Sequence, residues 1–257
     1  MEISVVIPCY NREDSIRGAV LSVLNQLGDH SIEVIVVDDG STDSSIDKIR
    51  DLDIKIYKTE GRTGACNARN LGILKSSNEV IAFNDSDDHW VIDKLLKVEE
   101  TFNNNGNIDY LFHSFIRVKG NKSELGGGYL SKSSKIVAED LMKKIITNNQ
   151  ISTQCLVIKK SVLDDIGGFD TNLGRFQDWE LALRVCEKYA GYYIANPLSL
   201  CIESVDSISK SKVKGVIARR YILNKHMDLF HRYPKQMLKY KIDLFLRNIF
   251  VKIINKP

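Results

Sequence analysis

Three carboxylates stand within four residues at Asp85, Asp87 and Asp88, in the stretch FNDSDDHW that follows the apolar run EVIAF. Like charges this close repel and raise one another's pKa values, so they call for something that offsets them. A hard divalent cation would do so. Mg2+ and Mn2+ prefer oxygen ligands, and one or two protein carboxylates suffice when water and a phosphorylated substrate supply the rest. The plainer role is a solvated helix start, because acids are favoured at the N-terminal end of the helix dipole, here ahead of WVIDKLLKVEE.

Three further stretches could do chemistry. In VVDDGSTD, two adjacent acids, Asp38 and Asp39, follow an apolar run and precede a glycine, whereas Asp43 reads as a turn former or cap. A carboxylate at the end of a buried strand can accept hydrogen bonds from a ribose or a base N–H. GRTGACNARN is a glycine-containing loop that runs into a helix, offering free backbone N–H groups and a positive dipole end. Its Arg69 suits a charge-assisted contact to a nucleotide or its phosphates, or equally a surface ion pair. In GRFQDWELALR, Asp178 precedes an amphipathic helix and neighbours Trp179, which fits either a cap or a general base.

The elements that must position these residues alternate. ISVVIP (3–8), IEVIVVDD (32–39), IKIY (54–57) and EVIAFND (79–85) read as strands. Helices are expected between them, over 12–26, 41–52 and 64–77. Repetition of this kind predicts a parallel, doubly wound sheet, with ligands bound beyond the carboxyl ends of its strands. Tyr10 and Asn11, Asp38 and Asp39, and Asp85 to Asp88 all fall at such ends. The second half is less regular. A strand is expected over 108–118, a polar loop or hairpin over 119–135, a helix over 138–149, a strand and short helix over 152–170, a helix within 175–189, and basic helix beyond 205.

Composition bounds the reading. The 257 residues are 43% hydrophobic and 27% charged, ordinary values for a globular chain with a sizeable core. Five scattered cysteines without a CxxC pair argue against a disulfide framework or a zinc site, and a reducing compartment is expected. No stretch reads as a signal peptide or reaches the ~18 apolar residues of a transmembrane helix. The net charge of +3 is unevenly spread: residues 206–257 hold 13 Lys and Arg against 3 Asp and Glu, leaving the rest of the chain acidic.

Taken in order, VVIPCYN, VVDDGSTD, GACNARN, FNDSDD and, about ninety residues later, FQDWEL closely resemble the motifs of the family 2 inverting glycosyltransferases. The resemblance spans roughly residues 3–200. It implies an α/β fold of GT-A type: a Rossmann-like, mostly parallel twisted sheet flanked by helices, here with a C-terminal helical extension. Residues 1–105 would be the nucleotide-sugar-binding half, 106–205 the acceptor and catalytic-base half, and 206–257 the basic extension. Pro8, Tyr10 and Asn11 match the family's first nucleotide-contacting turn. Asp39 matches the carboxylate that reads the donor base, most often uracil, and Arg69 a nucleotide-contacting arginine. Asp85, Asp87 and Asp88 match the DxD region, which holds Mn2+ or Mg2+ and touches the donor ribose and diphosphate. Asp178 matches the catalytic base. Gln177 stands where the family's preceding acid is usual, so position 177 inherits no role.

The implied reaction is transfer of a sugar from a nucleotide-sugar donor, UDP-linked, to a hydroxyl of a glycan or polyprenyl-linked acceptor in bacterial surface polysaccharide synthesis. A cytoplasmic chain on the inner face of the plasma membrane is expected. Residues 235–256, KQMLKYKIDLFLRNIFVKIINK, mix an apolar face with Lys239, Lys241, Arg247 and Lys252, a pattern suited to an anionic membrane surface or to packing on the catalytic domain. No nucleic-acid recognition module accompanies that tail. His89 follows the acidic cluster and fits a ligand or, more simply, a helix-start surface residue, whereas His113, His226 and His231 lack a motif. Relatives that bring a C-terminal histidine to the metal give His226 and His231 a small claim to that role. The competing classes are a nucleotidyltransferase, which would want a glycine- and basic-rich turn where PCYNRED stands, and a non-catalytic sugar-nucleotide module, which would lack the base.

Overall fold

The computed structural model describes residues 1–203 and 211–254, with side chains through Val251. The expected boundary between 205 and 206, the Lys252 side chain and residues 255–256 of the basic tail lie outside the described residues.

The sheet is built first from β1 (Glu2–Cys9), β2 (Ser31–Asp38), β3 (Lys55–Lys58) and β4 (Val80–Phe83), all parallel, in the order β3-β2-β1-β4. β1 and the second half of β2 are buried and mostly apolar because both faces are covered. The two-residue period of a strand divides β1 between two cores. Ile3, Val5 and Ile7 join α1 (Ile16–Leu24) and α3 (Lys94–Asn104) on one face, whereas Val6 joins α2 (Ala65–Lys75) on the other. There α2 lies so close to β1 that a Cβ on Gly72 would stand 2.3 Å from Cγ1 of Val6.

Beyond β4 the mostly parallel main order takes in antiparallel members. β9 (Leu156–Lys159) inserts antiparallel, pairing Ala82 with Val157, and β6 (Tyr110–Lys119) pairs antiparallel with β9 on its other side. β10 (Gly191–Ile202) then runs parallel to β6, and β5 (His89–Trp90) pairs antiparallel with it at the edge. Two short strands, β7 (Lys122–Gly126) and β8 (Ser134–Lys135), pair with β6 and β10, so the polar stretch after 118 is indeed a hairpin.

The antiparallel insertion decides which residues reach the site. Because β9 runs against β4, the chain entering it arrives at the same edge where β1, β2 and β4 end. That edge receives the segment between α4 (Ala138–Ile145) and β9. β10 runs with β4 and ends there too.

After α5 (Lys160–Ile166) and α6 (Gln177–Lys188), the chain closes with α7 (Lys212–Lys225), α8 (Met227–His231) and α9 (Pro234–Ile254). Tyr240 of α9, buried, packs its ring 5.7 Å from Trp179 and 4.9 Å from Phe230. The helix expected over 41–52 is only a 3-10 turn at Asp47–Ile49. Asp43 there accepts from the Ser45 N–H and hydroxyl and from the Glu13 N–H, and such local side-chain bonds compete with helix formation.

Candidate active site

Asp39 is 4% exposed and both its oxygens are engaged. Oδ1 accepts from the Thr63 N–H, the Thr63 hydroxyl and the Thr59 hydroxyl, each at 2.8 Å, and Oδ2 accepts from the Gly64 N–H at 2.7 Å. It therefore clamps the glycine loop that opens α2. Oδ2, with one bond from the protein, keeps a lone pair for a ligand donor. Asp38 is buried beside it and caps the Ser41 N–H at 2.8 Å.

Pro8 lies in β1, and Tyr10 and Asn11 form the turn that follows. Asn11 adopts the left-handed conformation, φ 49°, and its Oδ1 accepts from the Thr42 N–H at 2.8 Å. The first turn is thus tied to the loop after β2. The guanidinium of Arg62 sits 4.4 Å from the Tyr10 ring centroid, a flat cationic platform beside the first turn that the sequence motifs did not nominate.

Arg69 reaches from α2 to the acidic turn and donates from Nη2 to Oδ1 of Asp85 at 2.7 Å. Its side chain is 8% exposed, and Nε is buried with no hydrogen-bond partner. An unmade bond on a buried charged group is costly, so this atom points to an acceptor brought by a ligand. The three acids of the turn do not stand alike. Asp85 and Asp87 are partly exposed, and Asp87 faces Nε of Arg12 at 3.6 Å. Asp88 is buried, and its Oδ1 accepts from the Ile202 N–H at 3.0 Å, pinning the end of β10. Burial, with the charges of Asp85 and Asp87, pushes its pKa up to about 8.

Asp178 lies in the first turn of α6, partly buried. Oδ1 accepts from the Trp179 N–H and Oδ2 from the Asn149 side-chain amide, both at 2.8 Å. Burial lifts its pKa to about 6, against the lowering effect of the Trp179 N–H and Arg69, while Asp85 raises it. Phe176, two residues before, holds φ 62°, a conformation that costs a non-glycine residue about 1–3 kcal/mol. Among the described residues the two non-glycine residues with positive φ, Asn11 and Phe176, thus both border the site. Gln177 donates to the Leu173 carbonyl at 3.1 Å, so it serves the backbone.

The histidines lie elsewhere. His113 is buried with Nδ1 on the Ser114 carbonyl, His89 lies over Gly18, and His226 sits 3.0 Å from Glu180 through Nε2. His231 ends α8. Among the described residues no three His, Cys, Asp or Glu side chains gather to hold a metal by themselves.

A sheet of this order, with polar clusters gathered where β1, β2 and β4 end, defines a GT-A-type nucleotide-binding fold. The family model described as "Glycosyl transferase family 2" matches residues 4–167, and the chain belongs to that family; it is a glycosyltransferase. An uncharacterized glycosyltransferase of Haemophilus influenzae is 25% identical, the alignment covering 97% of this chain and 92% of that one. Escherichia coli WfgD, a UDP-Glc:alpha-D-GlcNAc-diphosphoundecaprenol beta-1,3-glucosyltransferase, is 30% identical over 63% of this chain and 62% of its own length. Among solved structures, Staphylococcus aureus TarS 1-349 in complex with UDP-GlcNAc shares the fold, with a TM-score of 0.72 at 21% identity over 87% of this chain and 67% of that one.

Proposed function

We propose that the chain transfers a sugar from a UDP-linked donor to a hydroxyl of a lipid-linked glycan, by a single displacement that inverts the anomeric carbon. The observation that carries this reading is the convergence of three groups. Arg69 is hydrogen-bonded to Asp85, and both lie within electrostatic reach of the Asp178 carboxylate. A diphosphate held at the first two thus faces a base at the third. The relative WfgD, with its UDP-Glc donor and diphosphoundecaprenol-linked acceptor, supports the donor and acceptor classes.

In this reading residues 1–105 bind the donor. Tyr10 and Asn11, after Pro8, shape the first turn, the free lone pair of Asp39 Oδ2 takes a base N–H, and Arg69 Nε takes a phosphate oxygen. Asp85 and Asp87 fit a divalent cation: two partly exposed carboxylates supply part of an oxygen shell that a diphosphate completes. Mn2+ or Mg2+ there would neutralise charge on the departing nucleoside diphosphate. Asp88, the third candidate, holds β10 behind them. In the half formed by 106–205, Asp178 removes the proton from the acceptor hydroxyl. That oxygen bonds to the anomeric carbon as the bond to the diphosphate breaks on the opposite face. A non-catalytic module would lack a base, whereas here the Asp178 carboxylate stands near Arg69 and Asp85, oriented by Asn149 and the Trp179 N–H.

The basic extension, 206–257, meets the membrane in this reading. No helix among the described residues is long and apolar enough to cross a bilayer. Leu238, Ile242, Phe245 and Ile249, all exposed, instead form a stripe along α9, opposite the buried Tyr240. Lys235, Lys239 and Lys241 accompany the stripe, so its charge complements an anionic lipid surface.

A thermal-shift titration tests the donor assignment. UDP-sugars with Mn2+ are expected to raise the melting temperature through linkage, and EDTA to cancel most of the rise. A melting temperature indifferent to every UDP-sugar would remove the donor; a rise indifferent to EDTA would remove the metal.

A further inference from the structure

Three arginines meet where the loop before α6, the first turns of α7 and the middle of α9 come together. Arg175 lies over the Phe176 ring, 4.6 Å from its centroid, and its Nη1 donates to the Ser211 carbonyl at 2.5 Å. It presses so closely on α7 that a Cβ at Gly215 would stand 2.8 Å from Nη1. Arg219 lies over Trp179 at 4.7 Å and is 6% exposed. Its Nη1 is buried without a hydrogen-bond partner, and Oδ2 of Asp243 stands 3.4 Å away. That same oxygen already accepts from Nε of Arg247 at 2.8 Å.

Arg219 and Arg247 therefore share one carboxylate, Asp243, while Arg175 is bonded to a carbonyl; among the described residues the other acid that acts on the cluster is Asp178, through Arg175. Burial lowers the pKa of Arg175 and of Arg219, and the Arg247 charge lowers both further, yet a guanidinium stays ionised at any ordinary pH. A buried guanidinium with an unmade hydrogen bond, set beside two further positive charges, is expensive unless an anion meets it. The N-terminal end of α7, whose dipole favours negative charge, opens at the same point.

Position identifies the anion. Arg175 stands three residues before Asp178 and feels its charge, while Arg247 belongs to the helix that carries the exposed apolar stripe. The cluster thus lies between the proposed base and the proposed lipid-facing surface. We propose that Arg175, Arg219 and Arg247, with the first turn of α7, bind a diphosphate, the one that joins the acceptor glycan to its lipid carrier. The assignment rests on the acceptor class proposed above. It is separate from the donor diphosphate held at Arg69 and Asp85.

Equilibrium binding of farnesyl diphosphate and of inorganic pyrophosphate to the full chain in EDTA, without donor, tests it. Farnesyl diphosphate is expected to bind, and Arg247→Glu and Arg247→Gln to weaken it at least tenfold; Arg247 is exposed, so both variants should keep the wild-type melting temperature. Asp85→Asn should leave the affinity within twofold. Pyrophosphate should lose affinity in the same variants but bind at least tenfold more weakly throughout. An affinity for farnesyl diphosphate unchanged by both Arg247 variants overturns the site, as does an equal loss in Asp85→Asn, which would put the diphosphate in the donor pocket. Equal binding of the two probes overturns the lipid-linked source. A chain that ignores UDP-sugars yet binds farnesyl diphosphate through Arg247 would overturn the donor reading alone.

Discussion

The side-chain amide of Asn149 donates to Oδ2 of Asp178 at 2.8 Å across 29 residues of sequence. With the Trp179 N–H on the other oxygen, it fixes the carboxylate plane and leaves a defined lone pair for an incoming hydroxyl. Because burial holds Asp178 near pKa 6, the base is largely protonated below that pH. Turnover is expected to rise about tenfold per unit up to pH 6 and then level. Asp178→Asn should lower kcat by about 10²–10⁴-fold while donor binding persists. The linkage has a definite sign: a carboxyl whose folded pKa is raised is stabilising when protonated, and that contribution is lost as pH rises through about 6. Asp178→Asn should therefore be at least as stable as wild type at pH 8, by roughly 1 kcal/mol after allowing for partial exposure. Full turnover in the variant, or a flat profile across pH 5–7, would contradict the base assignment.

Asn149 acts on the reaction through Asp178. Its own Oδ1 accepts from the Ile151 N–H at 3.0 Å, so the side chain is held on both ends. Its bond to Asp178 favours the charged carboxylate, and removing it must raise the pKa. Asn149→Ala is expected to move the acidic limb of the pH–rate profile upward and to lower kcat about tenfold, with the donor KM unchanged. A merely structural role would lower activity at all pH values equally and leave the limb where it was.

The same pair marks how far the sequence could be read. Asp178 was legible because an acid before an amphipathic helix beside Trp179 is a short-range pattern. Asn149 was not, since nothing in ITNNQ distinguishes it from an ordinary polar turn. It reaches the site because β9 pairs antiparallel between β4 and β6, and strand direction is set by partners about 45 to 80 residues apart. The strands β1, β2 and β4 and their polar ends were legible for the opposite reason. Each is a local apolar run followed by its own polar cluster. The sequence also could not sort the three acids, because only the approach of β10 turns Asp88 inward onto Ile202. The arginine cluster was equally hidden, since Arg175, Arg219 and Arg247 come from three elements.

Glu180 ties the C-terminal helices to the helix that carries Asp178. It is fully buried and meets Arg184 at 2.6 Å, Lys225 at 2.8 Å and His226 at 3.0 Å. Burial alone would raise its pKa, but the bonds from His226, Arg184 and Lys225 outweigh it and hold the carboxyl at about 2. A depressed carboxyl stabilises the fold above its unfolded value and loses that contribution as pH falls toward the folded one. Glu180→Gln is expected to cost about 3 kcal/mol at pH 7, because it strands buried cations. The difference from wild type should shrink between about pH 4.5 and 2. Urea midpoints measured across that range check both; a difference that stays constant down to pH 2 would mean the network is not what Glu180 contributes.

The stripe on α9 makes a prediction separable from catalysis. Tyr240 anchors the helix on Trp179 and Phe230, so its outer face can change without disturbing the core. A Phe245→Glu, Ile249→Glu pair places two charges on exposed positions and should alter stability little. The wild-type chain is expected to float with vesicles containing phosphatidylglycerol and to stay behind with phosphatidylcholine alone, and added salt should release it. The paired variant should lose most of that binding. Its turnover on a short, water-soluble acceptor should stay near wild type, while turnover on acceptor embedded in vesicles falls at least tenfold. If the paired variant floats as well as wild type, the bilayer contact lies on another surface; if neither anionic nor neutral vesicles bind the wild type, the stripe has a different partner and the membrane reading fails.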